Sequence, residues 1–273
     1  MNKPNFLFII TDQQRHDHLG CAGNPLLLTP NIDSLAKGGV RFENFYVASP
    51  ICMPNRSSIM TGRMPSSHGV RFNGIPLSLD SVTFVDVLRA AGYSTALLGK
   101  SHLQNFTDLP VTSDQEAAAQ ARPAGMEEAM RCSVDGPAYE MEREPNAGRV
   151  GRGGLQTPFY GFDHVKLCTR HGDQVRGDYT DWLEERHPGS DGLRGRENAT
   201  SDDRYSAPQA RRTGIPQELY SSAYVAEQTE AFLEQHATNG GDAPFFIQCS
   251  FPDPHHPYTP PGEFWDMYDP AAV

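Results

Sequence analysis

The sequence predicts an α/β domain with a mainly parallel central sheet flanked by helices. Three observations predict it: apolar runs of strand length, helical patterns set between them, and polar, chemistry-bearing residues where the runs end. Residues 5–11 are the first run, continuous and apolar, the pattern of a parallel strand buried on both faces. Thr29-Pro30-Asn31 then opens a short helix through Ile32, Leu35 and Ala36, which Gly38-Gly39 closes. Residues 40–48 read as a second strand, with Val40, Phe42, Phe45 and Val47 apolar. Ser81 reads as the N-cap of a helix carrying Val82, Val85 and Leu88, stopped at Gly92. Tyr93 to Leu98 is the next strand. Downstream, Val225, Thr229, Phe232 and Leu233 share one face of a helix over about 217–236, and Phe245 to Phe251 follows as a strand.

The stretch from about 104 to 216 breaks this rhythm. It holds the Ala-rich 117–121 segment, the Gly-rich Ala147 to Gly154 segment and the charged Gly189 to Arg212 segment. Only Pro158 to Leu167 and Tyr179 to Leu183 carry the pattern of packed elements. The expectation is a loop-rich excursion from a domain that otherwise spans 1–273, of the kind that shapes substrate pockets in α/β enzymes.

Composition removes several function classes. The 273 residues are 38% hydrophobic and 21% charged, which excludes a disordered tail or a coiled coil. With 23 Lys and Arg against 34 Asp and Glu, the net charge of −11 argues against nucleic acid as a partner. Five cysteines, an odd number without a Cys-x-x-Cys pair, argue against a disulfide framework or a zinc knuckle. Phe6 to Ile10 is too short for a signal peptide, and no run reaches the ~20 apolar residues of a membrane span. A cytoplasmic location without membrane contact is therefore expected, and the Asn198-Ala199-Thr200 sequon carries no weight.

Three of the strands end in reactive residues. Asp12-Gln13-Gln14-Arg15 follows the first, Gly99-Lys100-Ser101-His102 follows strand 93–98, and Asp253-Pro254-His255-His256-Pro257 follows strand 245–251. Ligands of open α/β sheets bind outside the carboxyl ends of the strands. If these strands are parallel neighbours, their tips gather a carboxylate, an ammonium and two or three imidazoles. Taken singly, such an Asp is a turn former and such a His a satisfied structural group; their recurrence at three strand ends is the signal.

A fourth segment, Cys52-Met53-Pro54-Asn55-Arg56-Ser57-Ser58 with Thr61-Gly62-Arg63, makes the pattern specific. Together with Thr11-Asp12-Gln13-Gln14-Arg15, Leu19 to Asn24, Thr29 to Asp33, Gly99-Lys100-x-His102 and Pro254-His255-x-Pro257-Tyr258, in that order, it resembles the type I sulfatases of the alkaline-phosphatase-like superfamily. The resemblance is close over about 1–106 and looser over 158–183 and 218–270. It implies hydrolysis of a small-molecule or saccharide sulfate ester, with Cys52 oxidised to formylglycine by a formylglycine-generating enzyme. The chemistry is coherent, because an aldehyde hydrate supplies one hydroxyl as nucleophile and keeps a second to expel sulfate. A helix N-terminus at that position adds a positive dipole end and free backbone donors.

Residue by residue, the resemblance implies that Asp12, Gln13 and the modified Cys52 hold a divalent metal. Calcium is the first choice, with manganese and magnesium as alternatives. Gln13 stands where many members carry a second Asp, so the site has one charge less. Arg56 braces the hydrate, Lys100 holds the anionic oxygens, His102 is the base during aldehyde regeneration, and His255 contacts the sulfate and helps protonate the leaving oxygen. Asn55 replaces the common Ser of the motif. The resemblance also implies a further metal-binding segment and a second Lys downstream of Pro-His-x-Pro, and none follows His256. The expectation is therefore an incomplete or a degenerate copy of the catalytic domain, with weak metal binding and slow or absent turnover. His171-Gly172-Asp173 and Arg176 are polar candidates for contacting the organic part of the ester.

Rival readings are a phosphonate or phosphodiester hydrolase of the same superfamily, which can also carry Asp-Gln at the first strand end, and a catalytically inactive fragment. A hydrolase using the free Cys52 thiolate with His102 or His255 is a fourth, and leaves Arg56 and Asp12 without a task.

Overall fold

The computed structural model describes residues 3–107, 136–143, 155–238, 241 and 243–272. Among them the chain runs through β1 (Phe6–Ile10), α1 (Pro30–Gly38), α2 (Cys52–Thr61), α3 (Pro65–His68), α4 (Phe84–Ala90), β2 (Ser94–Lys100), β3 (His164–Thr169), β4 (Arg176–Gly177), α5 (Asp178–Arg186), α6 (Ser221–Thr238) and β5 (Phe245–Ser250). The strands form one sheet in the order β1-β5-β2-β3-β4. The first four are parallel and β4 is antiparallel to β3. The α/β class with a mainly parallel sheet holds, and the three strands expected to be neighbours lie side by side.

Core packing explains the centre of the sheet. β2 is buried on both faces, because successive side chains point to opposite sides. Leu97 joins Met53, Met60, Phe159, Phe162, Val165 and Leu167 under α2 and α4. Ala96 and Leu98 join Tyr179, Trp182, Tyr224, Val225 and Phe232 of α5 and α6. The result is three layers, helix on sheet on helix. Gly99 makes the tightest approach in the sheet. Its φ is +106°, and a Cβ there would lie 1.9 Å from the carbonyl oxygen of Ser250 on β5.

The structure corrects four sequence expectations. β1 is parallel but not buried on both faces: it lies at the sheet edge with β5 alone beside it, and Leu7 and Ile9 are 48% and 50% exposed. Residues 40–48 form no strand among the described residues, and Phe42 and Phe45 are exposed. An alternating run cannot be a strand without a ladder partner. The helix expected to start at Ser81 starts instead at Phe84 with Thr83 as N-cap. There Asp86 reaches back to the Thr83 N–H, and Thr83 Oγ1 accepts from the Asp86 N–H, a reciprocal cap that Ser81 cannot make. Finally, β3, β4 and α5 come from inside the 104–216 stretch, so that part of it belongs to the sheet. Its 117–121 and 147–154 segments lie outside the described residues.

Candidate active site at the strand ends

α2 brings the Cys-x-Pro-x-Arg segment into position. Cys52 is its first residue, half-buried, and Ile51 at the N-cap offers no side-chain cap. Asn73 substitutes from across the chain: its Oδ1 accepts from the Met53 N–H at 3.2 Å and from the Cys52 Sγ at 3.4 Å. Pro54 in the first turn gives up no needed donor. One turn on, Arg56 is buried beneath the sheet edge. Its Nη1 donates to the Lys100 carbonyl (3.0 Å) and to Ser250 Oγ (2.9 Å), and its Nη2 lies 3.7 Å from Asp12 Oδ1. A single guanidinium thus ties α2 to the ends of β1, β2 and β5.

Asp12 is the centre of the cluster. The chain leaves β1 with Ile10 accepting from the Phe251 N–H, and the Asp12 N–H donates to the Asp253 carbonyl at 3.0 Å. Asp12 is buried and ion-paired with the fully buried Lys100, which also donates to His171 Nε2 at 2.5 Å. Burial opposes ionisation of Asp12, but His171, Lys100 and Arg56 override it and hold the carboxyl well below the usual carboxylate range. Burial pushes the Lys100 ammonium down to about 8, with Arg56 adding to the effect and Asp12 opposing it.

The imidazoles line up beside this pair. His171 Nε2 lies 3.3 Å from Asp12 Oδ2, and its ring stacks on His255 with centroids 3.5 Å apart. Burial lowers His171 to about 3 against the pull of Asp12, so it is neutral and accepts from Lys100. Burial also lowers His255, whose Nδ1 lies 2.5 Å from the His256 carbonyl and therefore donates to it. His102 is completely buried, stacked on Phe106 (3.7 Å), with burial holding its pKa well below the usual value. Among the described residues neither of its ring nitrogens has a partner. His256 Nδ1 lies 3.2 Å from Gln13 Oε1.

Asp12, Arg56, Lys100, His102 and His255 therefore share one site, with Cys52 at the start of the helix whose Arg56 reaches into it. Lys100 is the last residue of β2 rather than a residue beyond it. The sequence reading assigned His171 to the organic part of the substrate; here it sits against Asp12 and Lys100. The signal was available, since His171 follows the apolar run 164–169 as Lys100 and His255 do theirs. Asp173 is buried and bound to Arg211 (2.6 Å), a structural pair. Sequence reasoning missed Glu142 as well. Its buried carboxylate accepts from the N–H groups of His102, Leu103 and Gln104 at 2.7–2.9 Å and fixes the turn that carries His102. Nothing in its local sequence marks it. The Asp12 carboxylate and the Gln13 amide oxygen are hard oxygen donors, and in kind they fit a divalent cation.

The protein is thus an α/β domain whose mainly parallel sheet gathers Asp12, Lys100 and the helix-borne Arg56 of the Cys-x-Pro-x-Arg segment at its strand ends, where ligands of such sheets bind. The sequence pattern of the sulfatase family matches residues 4–144, and the chain belongs to that family. It is 27% identical to an ulvan-active sulfatase of Formosa agariphila over 99% of this chain and 39% of that protein. Against human arylsulfatase A it is 42% identical over 37% of this chain and 21% of the relative. Among solved structures it is similar to a phosphonate monoester hydrolase of Agrobacterium radiobacter, with a TM-score of 0.67 and 25% identity over 98% of this chain and 44% of that one. The chain spans less than half the length of these relatives. Sulfatase family membership implies in general a divalent metal and a formylglycine. Among the described residues no helix is long and apolar enough to cross a membrane.

Proposed function

We propose that the chain hydrolyses sulfate esters at the cluster around Asp12 and Lys100. The observation that carries this reading is the gathering of Arg56, Lys100 and His255 about Asp12 at the ends of three neighbouring strands, with Cys52 opening the helix that carries Arg56. Conversion of Cys52 to formylglycine by a formylglycine-generating enzyme supplies a hydrated aldehyde in place of a thiol. A divalent cation on Asp12 and Gln13, calcium first with manganese and magnesium as alternatives, supplies polarisation of the ester.

The chain's own residues do the rest. The Lys100 ammonium and the amino end of α2 attract the sulfate oxygens. Arg56 locks position 52 against the sheet and keeps its approach to the ester fixed. His102, neutral through burial, has a lone pair free to take a proton from the hydrate when the aldehyde is restored. His255 donates through Nδ1 to His256, so its Nε2 carries the lone pair that takes up a proton and passes it to the leaving oxygen. A phosphonate or phosphodiester monoester is the second reading, favoured by the likeness to the Agrobacterium radiobacter enzyme, since Lys100 and His255 meet the same oxygens on either group.

Two measurements test the reading. Mass spectrometry of the Cys52 peptide after co-expression with a formylglycine-generating enzyme is expected to show the aldehyde. Parallel assays are expected to give faster turnover of a sulfate monoester than of a phosphonate monoester, lost in Cys52→Ala. An unmodified thiol with no turnover would mark the chain as an inactive fragment, and a preference for phosphonate would install the second reading.

A further inference from the structure

Gln248 is a polar side chain in an apolar place. Successive side chains of β5 alternate between the two faces of the sheet. Phe246, Gln248 and Ser250 therefore point toward α2, while Ile247 and Cys249 join the layer of α5 and α6. Gln248 stands in register with Phe8 of β1 and Leu97 of β2 and is 5% exposed. Among the described residues its Oε1 has no hydrogen-bond partner. A buried amide oxygen left alone carries its full desolvation cost, which an apolar side chain of similar size avoids. The amide therefore calls for a partner that the surrounding side chains do not supply.

Arg56 has the complementary shortage. A guanidinium offers donors on all three of its nitrogens. Among the described residues, the hydrogen bonds of Arg56 all leave from Nη1, to the Lys100 carbonyl and to Ser250 Oγ. At 3.7 Å the contact of Nη2 with Asp12 is an ion pair beyond hydrogen-bond length. Arg56, Gln248 and Ser101 line one small space between α2 and the paired strands β1 and β5, and the rest of its wall is apolar, with Phe8, Ile10 and Met60. The space measures about 10 Å³, room for one water and for no organic ligand. Its polar groups, an amide, a guanidinium and a hydroxyl, are as many partners as a buried water usually takes.

We propose that one buried water in this space joins the Arg56 guanidinium to Gln248 and Ser101, and that Gln248 is a positioning residue acting on the site through Arg56. The water accepts from a guanidinium N–H and donates to Gln248 Oε1. Arg56, held through a second nitrogen, then cannot swing away from Asp12, and α2 with Cys52 at its start keeps its seat on the sheet. This holds whichever ester is the substrate. The test uses the 273-residue chain. A high-resolution crystal structure is expected to show one ordered water within about 3.2 Å of both an Arg56 nitrogen and Gln248 Oε1. In solution, NMR of the arginine side-chain N–H groups follows their exchange with solvent. Gln248→Leu is expected to speed exchange at Arg56 at least about tenfold, the weight of one hydrogen bond to a charged group. Arg194, buried elsewhere and bonded to the Val175 carbonyl, is expected to exchange as before. Gln248→Glu keeps an acceptor and is expected to restore slow exchange. Equal acceleration at Arg56 and Arg194 would mean a general loosening of the core and overturns the positioning role. Unchanged exchange at Arg56 in the Leu variant, or exchange in the Glu variant as fast as in the Leu variant, overturns it as well. A crystal structure in which the space is dry does the same, and that result needs no variant to fold.

Discussion

Lys100 decides how the site behaves as a set of charges. It is 0% exposed and its partner Asp12 is 6% exposed, so neither is solvated by water. A buried pair is worth little net, yet removing one partner strands the other. Lys100→Met is expected to cost about 3–5 kcal/mol in urea unfolding, and adding Asp12→Asn is expected to restore most of it, a coupling that a double-mutant cycle reads directly. The same burial sets a pH limit on binding. With the ammonium lowered to about 8, Lys100 is charged below that pH and neutral above it, so its hold on sulfate is lost as pH rises. KM for a sulfate ester is expected to climb above pH 8 while the protein stays folded; a flat KM to pH 9.5 would remove Lys100 from the anion site. At this scale the sequence singled out Asp12, Cys52, Arg56, Lys100, His102 and His255, because each lies beside a strand end or in the Cys-x-Pro-x-Arg segment. Glu142 and Asn73 were not legible, since a carboxylate or amide that caps another segment's backbone leaves no local pattern.

The elements hold those residues in place through two features. Gly99 lets β2 pass against β5, and a side chain there would strike the Ser250 carbonyl. Gly99→Ala is expected to cost more than about 3 kcal/mol or prevent folding, read by circular dichroism and urea midpoint. Glu142 performs the complementary task after β2 by collecting three backbone N–H groups. Glu142→Ala leaves those donors buried and unpaired, at about 1–3 kcal/mol for each group. The expected result is loss of thermal stability together with faster amide exchange at residues 102–104. Periodicity found β2, β5 and α6 because packing against a neighbour and the pattern agree there, whereas α1, none of whose residues is buried, was legible from its Pro30 start and Gly38-Gly39 stop. It misjudged residues 40–48, where an apolar alternation lacks a partner among the described residues, and it placed the start of α4 by the wrong hydroxyl.

On the scale of the whole molecule, the sheet ends in two unlike edge strands. β4 turns antiparallel at one margin, whereas β1 leaves its outer backbone groups and the side chains of Leu7 and Ile9 uncovered, and Phe42, Phe45 and Tyr46 add further exposed apolar surface. Open, apolar strand edges template association. Light scattering of the 273-residue chain is expected to show concentration-dependent self-association, reduced by Ile9→Lys with Phe45→Lys. A monodisperse solution at tens of micromolar would contradict it. The parallel, helix-covered architecture was legible from the strand and helix order, while the position of β1 was not, because its sequence is as apolar as that of a central strand.

The order β1-β5-β2 also governs when this protein comes into being during synthesis. The strand that joins the other two begins at Phe245, well over a hundred residues after β2 ends. At about 5–20 residues per second, translation from the end of β2 to that strand takes on the order of ten seconds. Throughout that interval on the ribosome, Asp12, Cys52, Arg56 and Lys100 already exist, whereas the strand that seats β1 beside β2, and the His255 that follows it, are still to be made.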